Sequence, residues 1–305
     1  MARYPYRREL KAPGNWTSID FSNPKLAQAL GTMVRKMRDE SSSFPSQNGL
    51  PIRRERVPVW DGESIDCFVF EPGGAERSRG AMLYCHGGGF FLPIQPMMMR
   101  LAAQYAKELN IWVYLPEYRI LPEHPYPFRD CLSILEWMQE RGEDTYLLYG
   151  ESAGGTLAAG LTLWTKEHGC ILAKGQLLIY PALDNRCSRY PSMRLYSEAA
   201  WPLRNNLAMW REYLKNGQDG LESFLIPMRA ENLSGLPPAY IEPQGIDILR
   251  DEAIAYAGRL QDAGVSVILN VVEGSYHGFD VDTENEFVQS IVKKRMEAMR
   301  AMLGI

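Results

Sequence analysis

Short apolar runs alternate with helical stretches over most of the chain, and this rhythm constrains the fold more than any other feature. A strand buried on both faces reads as a continuous apolar run, whereas a helix shows apolar residues three and four positions apart. Strands joined through helices lie parallel, so we predict an α/β fold with a mostly parallel central sheet and helices on both faces. The predicted strands are 81–85, 111–115, 146–149, 176–180, 239–241 and 265–272, and the predicted helices lie near 97–109, 128–139, 152–166, 250–262 and 284–302.

Two strand candidates that precede this alternation are connected differently. Residues 52–59 and 65–70 are separated by Asp61-Gly62, a dipeptide that supplies the positive backbone angles of a tight hairpin turn. A short turn joins antiparallel neighbours, so we expect these strands to form an antiparallel edge of the otherwise parallel sheet.

Two further segments carry helical patterns without strands, and we predict that together they form a helical cap. Residues 23–39 have apolar side chains at helical spacing, with Asn23 as a candidate N-cap. Residues 185–225 carry large aromatic residues on predicted helices and are too long for a plain connection. The predicted division is 1–45 as the N-terminal part of the cap, 46–184 as the first part of the core, 185–225 as the cap insertion and 226–305 as the second part of the core.

Charge and hydropathy argue against two classes of partner. The 305-residue chain carries 33 Lys and Arg against 37 Asp and Glu, a net charge of −4, whereas proteins that bind nucleic acid through its phosphates lean basic. No run approaches the ~18 apolar residues of a membrane span. The N-terminal residues are basic but lack the apolar stretch of a secretion signal. We therefore expect a cytoplasmic protein with no nucleic-acid or membrane partner.

Cysteine and histidine patterns do not favour a metal site. The five cysteines are scattered without a Cys-x-x-Cys pair, and we expect each to be a buried or partly buried apolar residue. The four histidines have no recognisable metal-ligand spacing. Neither a phosphate-binding loop nor a dinucleotide fingerprint occurs, so we predict neither a metal nor a cofactor.

A serine between glycines is the first candidate for chemistry. Gly150-Glu151-Ser152-Ala153-Gly154 fits the Gly-x-Ser-x-Gly pattern, which is weak by itself. Its context is more specific, because an apolar run leads in and a run of small helix-forming residues leads out. A strand, a sharp turn and a helix are what expose a serine oxygen on a strained elbow. Ser152 is therefore a candidate nucleophile, with an ordinary strand-to-helix turn as the alternative.

Three consecutive glycines follow a histidine directly after an earlier predicted strand, as His86-Gly87-Gly88-Gly89. Glycine lets backbone N–H groups approach a reacting carbonyl and point at its developing negative charge. Each such donor typically lowers a reaction barrier by about 3 kcal/mol. The segment is a candidate oxyanion loop, and a flexible turn is the alternative.

A serine nucleophile needs a base and an acid that orients it, and both candidates follow predicted strands. His277 comes directly after the last strand, and Asp247 follows the strand before it. Asp251 falls in the first turn of the next helix, where a carboxylate favours the positive end of the helix dipole. We assign His277 as the base and Asp247 as the acid, with Asp251 as the structural alternative.

Taken together, these motifs resemble those of the hormone-sensitive-lipase-like family of α/β-hydrolases, which includes many bacterial carboxylesterases. The family's His-Gly-Gly-Gly motif matches residues 86–89, and its nucleophile elbow matches residues 150–154. The order serine, acid, histidine is the one expected of an α/β-hydrolase sheet. Two further signatures match at Tyr118-Arg119-Ile120-Leu121-Pro122-Glu123-His124-Pro125 and at Asp247-Ile248-Leu249-Arg250-Asp251-Glu252. The resemblance covers about residues 80 to 280 and implies an α/β-hydrolase fold.

The resemblance implies a role for each residue of the candidate triad. Ser152 would attack an ester carbonyl, His277 would take its proton and later give it to the leaving alcohol, and Asp247 would steady the imidazolium. A serine carboxylesterase acting on short- to medium-chain esters is the expected function, with the chain-length preference inherited from the family. A homodimer is also expected from the family.

The resemblance extends to the residues around the triad. The N–H groups of Gly88, Gly89 and Ala153 would hold the oxyanion. His86 would anchor the glycine loop rather than act as a base. Glu151 stands where many relatives carry Asp, so its local hydrogen bonding is expected to differ.

Three alternatives stay open at this point. The same triad serves for hydrolysis of an amide, a formamide or a carbohydrate acetyl group. A hydrolase-like receptor that binds without turnover is disfavoured, because such a protein would be expected to lack part of the triad. The aromatic residues Trp16, Phe21, Trp201 and Trp210 either line a substrate cleft under the cap or pack between cap and sheet.

Overall fold

The strands of the computed structural model follow the predicted alternation. The structure describes residues 4–14, 19–21, 23–40, 50–73, 78–121, 127–215 and 220–305. In chain order the strands are β1 (Ile52–Pro58), β2 (Ser64–Phe70), β3 (Ala81–Cys85), β4 (Trp112–Pro116), β5 (Tyr146–Glu151), β6 (Gly175–Ile179), β7 (Ala239–Glu242), β8 (Gln244–Ile246), β9 (Val267–Leu269) and β10 (Val272–Tyr276).

The α-helices also lie where their spacing predicts them, to within a few residues. The side chain of Asn23 accepts hydrogen bonds from the backbone N–H groups of Lys25 and Leu26, at 3.1 and 3.4 Å, and so caps the first helix. Within the described ranges, none of these helices combines the length and the apolar content of a membrane span. In chain order the helices are α1 (Pro24–Glu40), α2 (Pro96–Leu109), α3 (Pro127–Glu140), α4 (Ala153–Glu167), α5 (Pro191–Leu195), α6 (Leu203–Tyr213), α7 (Glu222–Leu225), α8 (Arg250–Asp262) and α9 (Glu286–Leu303).

Eight of the strands form one sheet in the order β1-β2-β4-β3-β5-β6-β7-β9. The pairs β1–β2 and β2–β4 are antiparallel, and the remaining neighbours are parallel. Gly62 has a φ of 85° in the turn between β1 and β2, as the hairpin prediction requires. The predicted fold class and its antiparallel edge are therefore confirmed.

Helices cover both faces of this sheet. Alternate side chains of β3 enter different cores: Leu83 and Cys85 pack with α3, α4 and α8, whereas Met82 and Tyr84 pack with α2 and α9. This follows from the two-residue period of a strand, which points successive side chains to opposite faces. Because both faces are buried, β3 is apolar at every position, as its sequence indicated.

The prediction of one strand over 265–272 is wrong. The chain forms β9 at the edge of the main sheet, and β10 pairs instead with β8 in a separate parallel ribbon. The break comes at Asn270, whose backbone N–H donates to the Ile241 carbonyl at 2.9 Å and whose side-chain amide donates to the Tyr240 hydroxyl at 2.9 Å. Beyond this residue the chain leaves the edge of the main sheet and pairs with β8.

The segments predicted to form a cap meet above the carboxyl ends of the strands. Asn205 of α6 donates to the Ile19 carbonyl at 2.9 Å and accepts from the Phe21 backbone N–H at 3.3 Å. The ring of Phe21 lies 5.9 Å from that of Trp201 between centroids. The division of the chain into cap and core stays a prediction.

Trp201 was expected on a helix, but it lies in the bend before α6. Pro202 follows it, and a residue that precedes proline is disfavoured in a helical conformation. The proline therefore delays the start of α6 to Leu203 and leaves the indole of Trp201 on an irregular segment.

The expectation that every cysteine is at least partly buried is wrong for Cys170. The other four cysteines are buried, and all five are free thiols. Cys170 lies in the turn between α4 and β6, on the surface, where the local apolar pattern gives no information about its exposure.

The start of α4 passes so close to the end of β3 that only glycine fits at the crossing. A Cβ atom on Gly154 would lie 2.0 Å from the carbonyl oxygen of Cys85. Backbone atoms cannot move aside as a flexible side chain can, so the approach of helix to strand depends on the missing side chain.

We therefore predict that Gly154→Ala lowers the free energy of unfolding by about 3 kcal/mol, because the added methyl overpacks a rigid backbone crossing. Gly258→Ala in α8 is the matched control, since apart from the adjacent residues and backbone of its own helix no described atom lies within 4 Å of its Cβ position. That control is expected to gain up to about 1 kcal/mol from higher helix propensity. Urea denaturation measures both values, and equal stability of the two variants would contradict the prediction.

Candidate active site

Ser152 occupies a strained turn between β5 and α4. Its backbone has φ 56° and ψ −122°, a conformation that costs about 1–3 kcal/mol for a residue other than glycine. The Ser152 N–H donates to the Ile179 carbonyl of β6 at 2.9 Å, which holds the turn against the sheet. A Cβ on Gly150 would lie 2.1 Å from the Gly154 carbonyl oxygen, so the turn closes only with glycine there. The elbow expected from the sequence is therefore present.

His277 lies between Ser152 and Asp247 in a continuous hydrogen-bonded relay. Its Nδ1 is 2.7 Å from Oδ2 of Asp247, and its Nε2 is 2.8 Å from Oγ of Ser152. A carboxylate only accepts, so Nδ1 carries the hydrogen and Nε2 is free to accept from the serine hydroxyl. All three residues are buried, with at most 5% of each exposed.

The ribbon of β8 and β10 brings the acid and the base together. Ile246 and Tyr276 are direct partners in this parallel pair. Asp247 and His277 are the next residues after these partners, so both side chains leave neighbouring strands at the same end. The pairing explains how residues 30 positions apart in sequence share a hydrogen bond.

Asp251, the alternative acid, has different partners. Its Oδ2 accepts from the backbone N–H of Ser192 at 2.8 Å, and its Oδ1 accepts from Nε of Arg250 at 2.8 Å. It thereby ties the start of α8 to α5. Asp247, in contrast, uses Oδ1 to accept from the Leu249 N–H at 3.1 Å and leaves Oδ2 for His277.

The glycine loop after β3 lies beside the serine elbow. Gly88 and Gly89 have φ values of 113° and 62°, which strain any other residue. A Cβ on Gly89 would lie 2.5 Å from the indole of Trp201. Between the described residues, no acceptor is bonded to the backbone N–H of either glycine. Ala153 is the first residue of α4, where helix N–H groups lack intrahelical partners.

His86 is a neutral structural residue in this loop. It is completely buried, and its Nδ1–H donates to the Gly87 carbonyl at 2.7 Å. Its ring stacks on that of Tyr118 with 3.9 Å between centroids, and the Tyr118 hydroxyl donates to the His86 carbonyl at 2.7 Å. Burial lowers the pKa of His86 to about 3, so the ring stays uncharged at neutral pH.

Glu151 connects the nucleophile strand to the glycine loop. Its Oε1 accepts from the Gly87 N–H at 3.1 Å, and the side chain is almost completely buried. Burial raises the pKa of Glu151 to about 8, and the hydrogen bond from Gly87 opposes that rise. The carboxyl is therefore largely protonated at neutral pH, beside the candidate nucleophile.

A cavity of about 560 Å³ opens onto the serine and histidine. Its walls are largely apolar. Helix α1 supplies one wall, and the aromatic rings of Phe21 and Trp201 supply another. The described residues that line it are Ile19, Phe21, Leu30, Met33, Val34, Met37, Gly87, Gly88, Gly89, Leu92, Gln95, Met97, Met98, Glu151, Ser152, Tyr180, Trp201, His277, Gly278 and Val281.

The aromatic residues that the sequence placed either in a cleft or in the packing between cap and sheet have different positions in the structure. Phe21 and Trp201 line it, whereas Trp210 is buried against Tyr213. Trp16 lies outside the described residues, as does the 122–125 part of the motif that begins at Tyr118.

Tyr180 also lines the cavity, although its sequence pattern did not predict it as a site residue. The available signal was its place directly after β6, because ligand sites of parallel sheets lie at the carboxyl ends of strands.

Among the described residues, no group of three or more His, Cys, Asp or Glu side chains is arranged to hold a metal ion.

The raised pKa of Glu151 predicts a pH dependence of stability. A carboxyl whose pKa rises on folding from 4.5 to about 8 contributes stability that is complete below pH 4.5 and is lost as the pH rises toward 8. We expect wild type to lose up to ~1.4 kcal/mol of unfolding free energy per pH unit through this group, and Glu151→Gln to remove that slope.

Urea denaturation at pH 5.5 and 7.5 measures the difference. Glu297→Gln, at an exposed position of α9, is the matched control and should keep the slope of wild type. The same pH dependence in wild type and Glu151→Gln would contradict the assignment of a buried neutral carboxyl.

Comparison with known proteins identifies the family. The alpha/beta hydrolase fold family matches residues 82–281. Esterase LipI of Mycobacterium tuberculosis is 34% identical over 209 residues, which are 65% of this chain and 65%, just under two thirds, of that protein. Ethyl acetate hydrolase of Pseudomonas putida is 28% identical over 232 residues, 72% of each chain.

A solved structure extends this likeness to the whole fold. The crystal structure of esterase LipW from Mycobacterium marinum superposes with a TM-score of 0.80 at 27% identity, covering 92% of this chain and 91% of that one. The family match spans well over half of the chain and includes both the glycine loop and the serine elbow. The chain is therefore a member of the α/β-hydrolase family, and its resemblance to the hormone-sensitive-lipase-like branch is confirmed.

Proposed function

We propose that this chain is a carboxylesterase in which Ser152 is the nucleophile, His277 the general base and Asp247 the orienting acid. The observation that carries the proposal is the relay of two short hydrogen bonds, 2.8 Å from Ser152 Oγ to His277 Nε2 and 2.7 Å from His277 Nδ1 to Asp247. Nucleophile, base and acid then each have the partner that their role requires.

The reaction proceeds in two halves. Ser152 Oγ attacks the ester carbonyl carbon while its proton passes to Nε2 of His277. The tetrahedral intermediate collapses, the alcohol leaves with the proton from His277, and an acyl group remains on the serine. Water then gives a proton to His277 as its oxygen attacks the acyl carbonyl. The second tetrahedral intermediate collapses as the bond to Ser152 Oγ breaks and His277 returns the proton to that oxygen, which releases the carboxylic acid and free Ser152.

Backbone N–H groups stabilise the negative charge of both intermediates. Gly88, Gly89 and Ala153 present N–H groups from the glycine loop and from the first turn of α4. These donors are fixed before the substrate arrives, so they need no reorganisation when the charge develops. The neutral state of Glu151 supports this arrangement, because its carboxyl adds no negative charge beside the oxyanion.

The lining of the cavity favours uncharged, apolar carboxylic esters. The Tyr180 hydroxyl is already bonded to Asp280 at 2.7 Å, and Oε1 of Glu151 is occupied by the Gly87 N–H. Gln95 is the remaining polar side chain of the described lining outside the proposed triad. A carbohydrate presents several hydroxyls that each lose hydrogen bonds to water, so this lining disfavours a sugar acetyl ester.

The cavity also supports a limit on acyl length. Its volume of about 560 Å³ is moderate, and helix α1 closes one side. One relative is named as an ethyl acetate hydrolase, which fits a small ester. We infer short- to medium-chain esters, with residues 1–45 and 185–225 acting as a cap over the core of 46–184 and 226–305. A homodimer and a cytoplasmic location stay predictions.

We predict that Ser152→Ala lowers kcat/KM on chromogenic esters by at least ~10³-fold, because the nucleophile is removed while the fold is retained. Esters with two to twelve acyl carbons are the substrates, and activity should fall at the longer lengths. Ser290→Ala is the matched control, since that hydroxyl donates to the Phe287 carbonyl on α9.

The ester assay, together with amide substrates and a binding measurement, separates the esterase, amidase and receptor hypotheses. Turnover of esters by the Ser152→Ala variant at the rate of wild type would refute the proposed nucleophile. Folded wild-type protein that hydrolyses amides but no ester would favour the amidase hypothesis, and binding of esters without turnover would favour a receptor.

A second prediction concerns the size of the cavity. Trp201→Leu removes an indole that packs against Gly89 and lines the cavity, so we expect kcat/KM for bulky acyl esters to rise about tenfold relative to acetyl esters. Trp164→Leu is the control, because Trp164 packs against Phe128 and Phe224. An unchanged acyl preference in Trp201→Leu would contradict the assignment of this wall.

A further inference from the structure

A buried ion network lies behind the proposed triad, on the side of the sheet covered by α9. Arg295 of this helix is completely buried, and its guanidinium pairs with Glu242 at 2.6 Å and with Asp280 at 2.7 Å. Removing a charged group from water is costly unless it is paired and hydrogen-bonded. The two carboxylates therefore hold Arg295 in place, and Arg295 in turn fixes both of them.

Two tyrosines complete this network in matching ways. The Tyr180 hydroxyl donates to Oδ1 of Asp280 at 2.7 Å, and the Tyr240 hydroxyl donates to Oε2 of Glu242 at 2.7 Å. Each tyrosine thus donates one hydrogen bond to one carboxylate of the network. Glu242 also accepts from Gln244 and accepts from Arg295 at both of its oxygens, whereas Asp280 receives a single bond from Arg295.

The Tyr180–Asp280 pair and the Tyr240–Glu242 pair are the two arms of this network, and they contact different parts of the structure. Tyr180 lines the cavity, and its ring lies 4.8 Å from that of His277 between centroids. Asp280 belongs to the short turn Phe279–Val281, three residues after His277. The Tyr240 hydroxyl instead accepts from the Asn270 amide, at the edge of the sheet. The Tyr180 arm therefore holds both the loop that carries the histidine and a ring packed against it.

We propose that Tyr180, anchored through Asp280 to Arg295, is a positioning residue for the base His277. This inference rests on the proposed esterase function. The imidazole must accept a proton from Ser152 and return it to a leaving group without losing its bond to Asp247. Two aromatic rings lie beside the imidazole, Tyr180 at 4.8 Å and Trp201 at 6.0 Å between centroids. Of the two, Tyr180 is joined through its hydroxyl to the buried Asp280, and this bond keeps the ring from rotating away.

Tyr180→Phe tests this role, because it removes the hydroxyl and keeps the ring. We expect kcat for a short-chain ester to fall about tenfold while KM stays within about twofold, since orientation of the base affects proton transfer rather than ester binding. Tyr240→Phe is the matched control: it removes the equivalent bond from the other carboxylate. It should lose a similar amount of thermal stability and keep kcat within about twofold of wild type.

Asp280→Asn provides a second, independent measurement. If Asp280 acts on His277 through the tyrosine, adding this substitution to Tyr180→Phe should lower kcat by less than the same substitution does in wild type. Full additivity of the two changes in kcat would overturn the proposed connection.

The outcomes distinguish this inference from the proposed function. Normal kcat in Tyr180→Phe, with only lower thermal stability, would show a purely structural network and would overturn the positioning role. A raised KM with unchanged kcat would make Tyr180 part of the binding surface and would overturn it as well. If wild type shows no ester turnover that depends on Ser152, the esterase function fails, and the positioning role fails with it.

Discussion

The close backbone approach of β3, β5 and α4 is the constraint on which the rest of the site depends. Cys85 of β3 and Gly150 of β5 are paired in the parallel register, so the residues after them run side by side. That pairing places the glycine loop next to Ser152, and the Glu151 side chain bonds across to the Gly87 N–H. Gly150 and Gly154 permit it, because any side chain at either position would collide with backbone atoms. The nucleophile and the proposed oxyanion donors are thus positioned by one piece of sheet geometry.

Burial then determines the charge state of the groups around the nucleophile. His86 directly follows β3 and Glu151 ends β5, and burial disfavours the charged form of each. The charge around the relay then comes from Asp247, from the imidazolium formed during the reaction and from the buried pair of Asp280 and Arg295. In a low-dielectric site, interactions of developing charge with fixed dipoles are stronger than they are in water. The arrangement therefore suits a reaction that passes through an oxyanion.

The sequence predicted the features that depend on local pattern. Apolar runs predicted the parallel strands, and Asp61-Gly62 predicted the hairpin. Positions directly after strands predicted the three residues of the relay, whose hydrogen bonds in the structure are 2.7 and 2.8 Å long. The local pattern did not predict features that depend on which distant strands pair. The 265–272 run is apolar except for Ser266 and Asn270, and its pairing with β7 before Asn270 and with β8 after it determines where it divides.

Tyr180 shows the same limit at the level of a single side chain. As a tyrosine at the end of an apolar strand it has no distinctive pattern, and its partners Asp280 and Arg295 are about a hundred residues away in sequence. Trp201 is a case in which a local rule was available, because the proline that follows it disfavours the helix that was expected. The conformation could be predicted from that rule, whereas the contact of the indole with Gly89 could not.

A crystal structure of the chain after reaction with a phosphonate ester tests the account most directly, because the tetrahedral phosphorus reproduces the shape and charge of the proposed intermediate. The account predicts a covalent bond from Ser152 Oγ to phosphorus. It also predicts a phosphonyl oxygen about 2.7–3.1 Å from the backbone nitrogens of Gly88, Gly89 and Ala153, with His277 still bonded to Asp247. An adduct on another residue, or a phosphonyl oxygen directed away from the glycine loop, would contradict it.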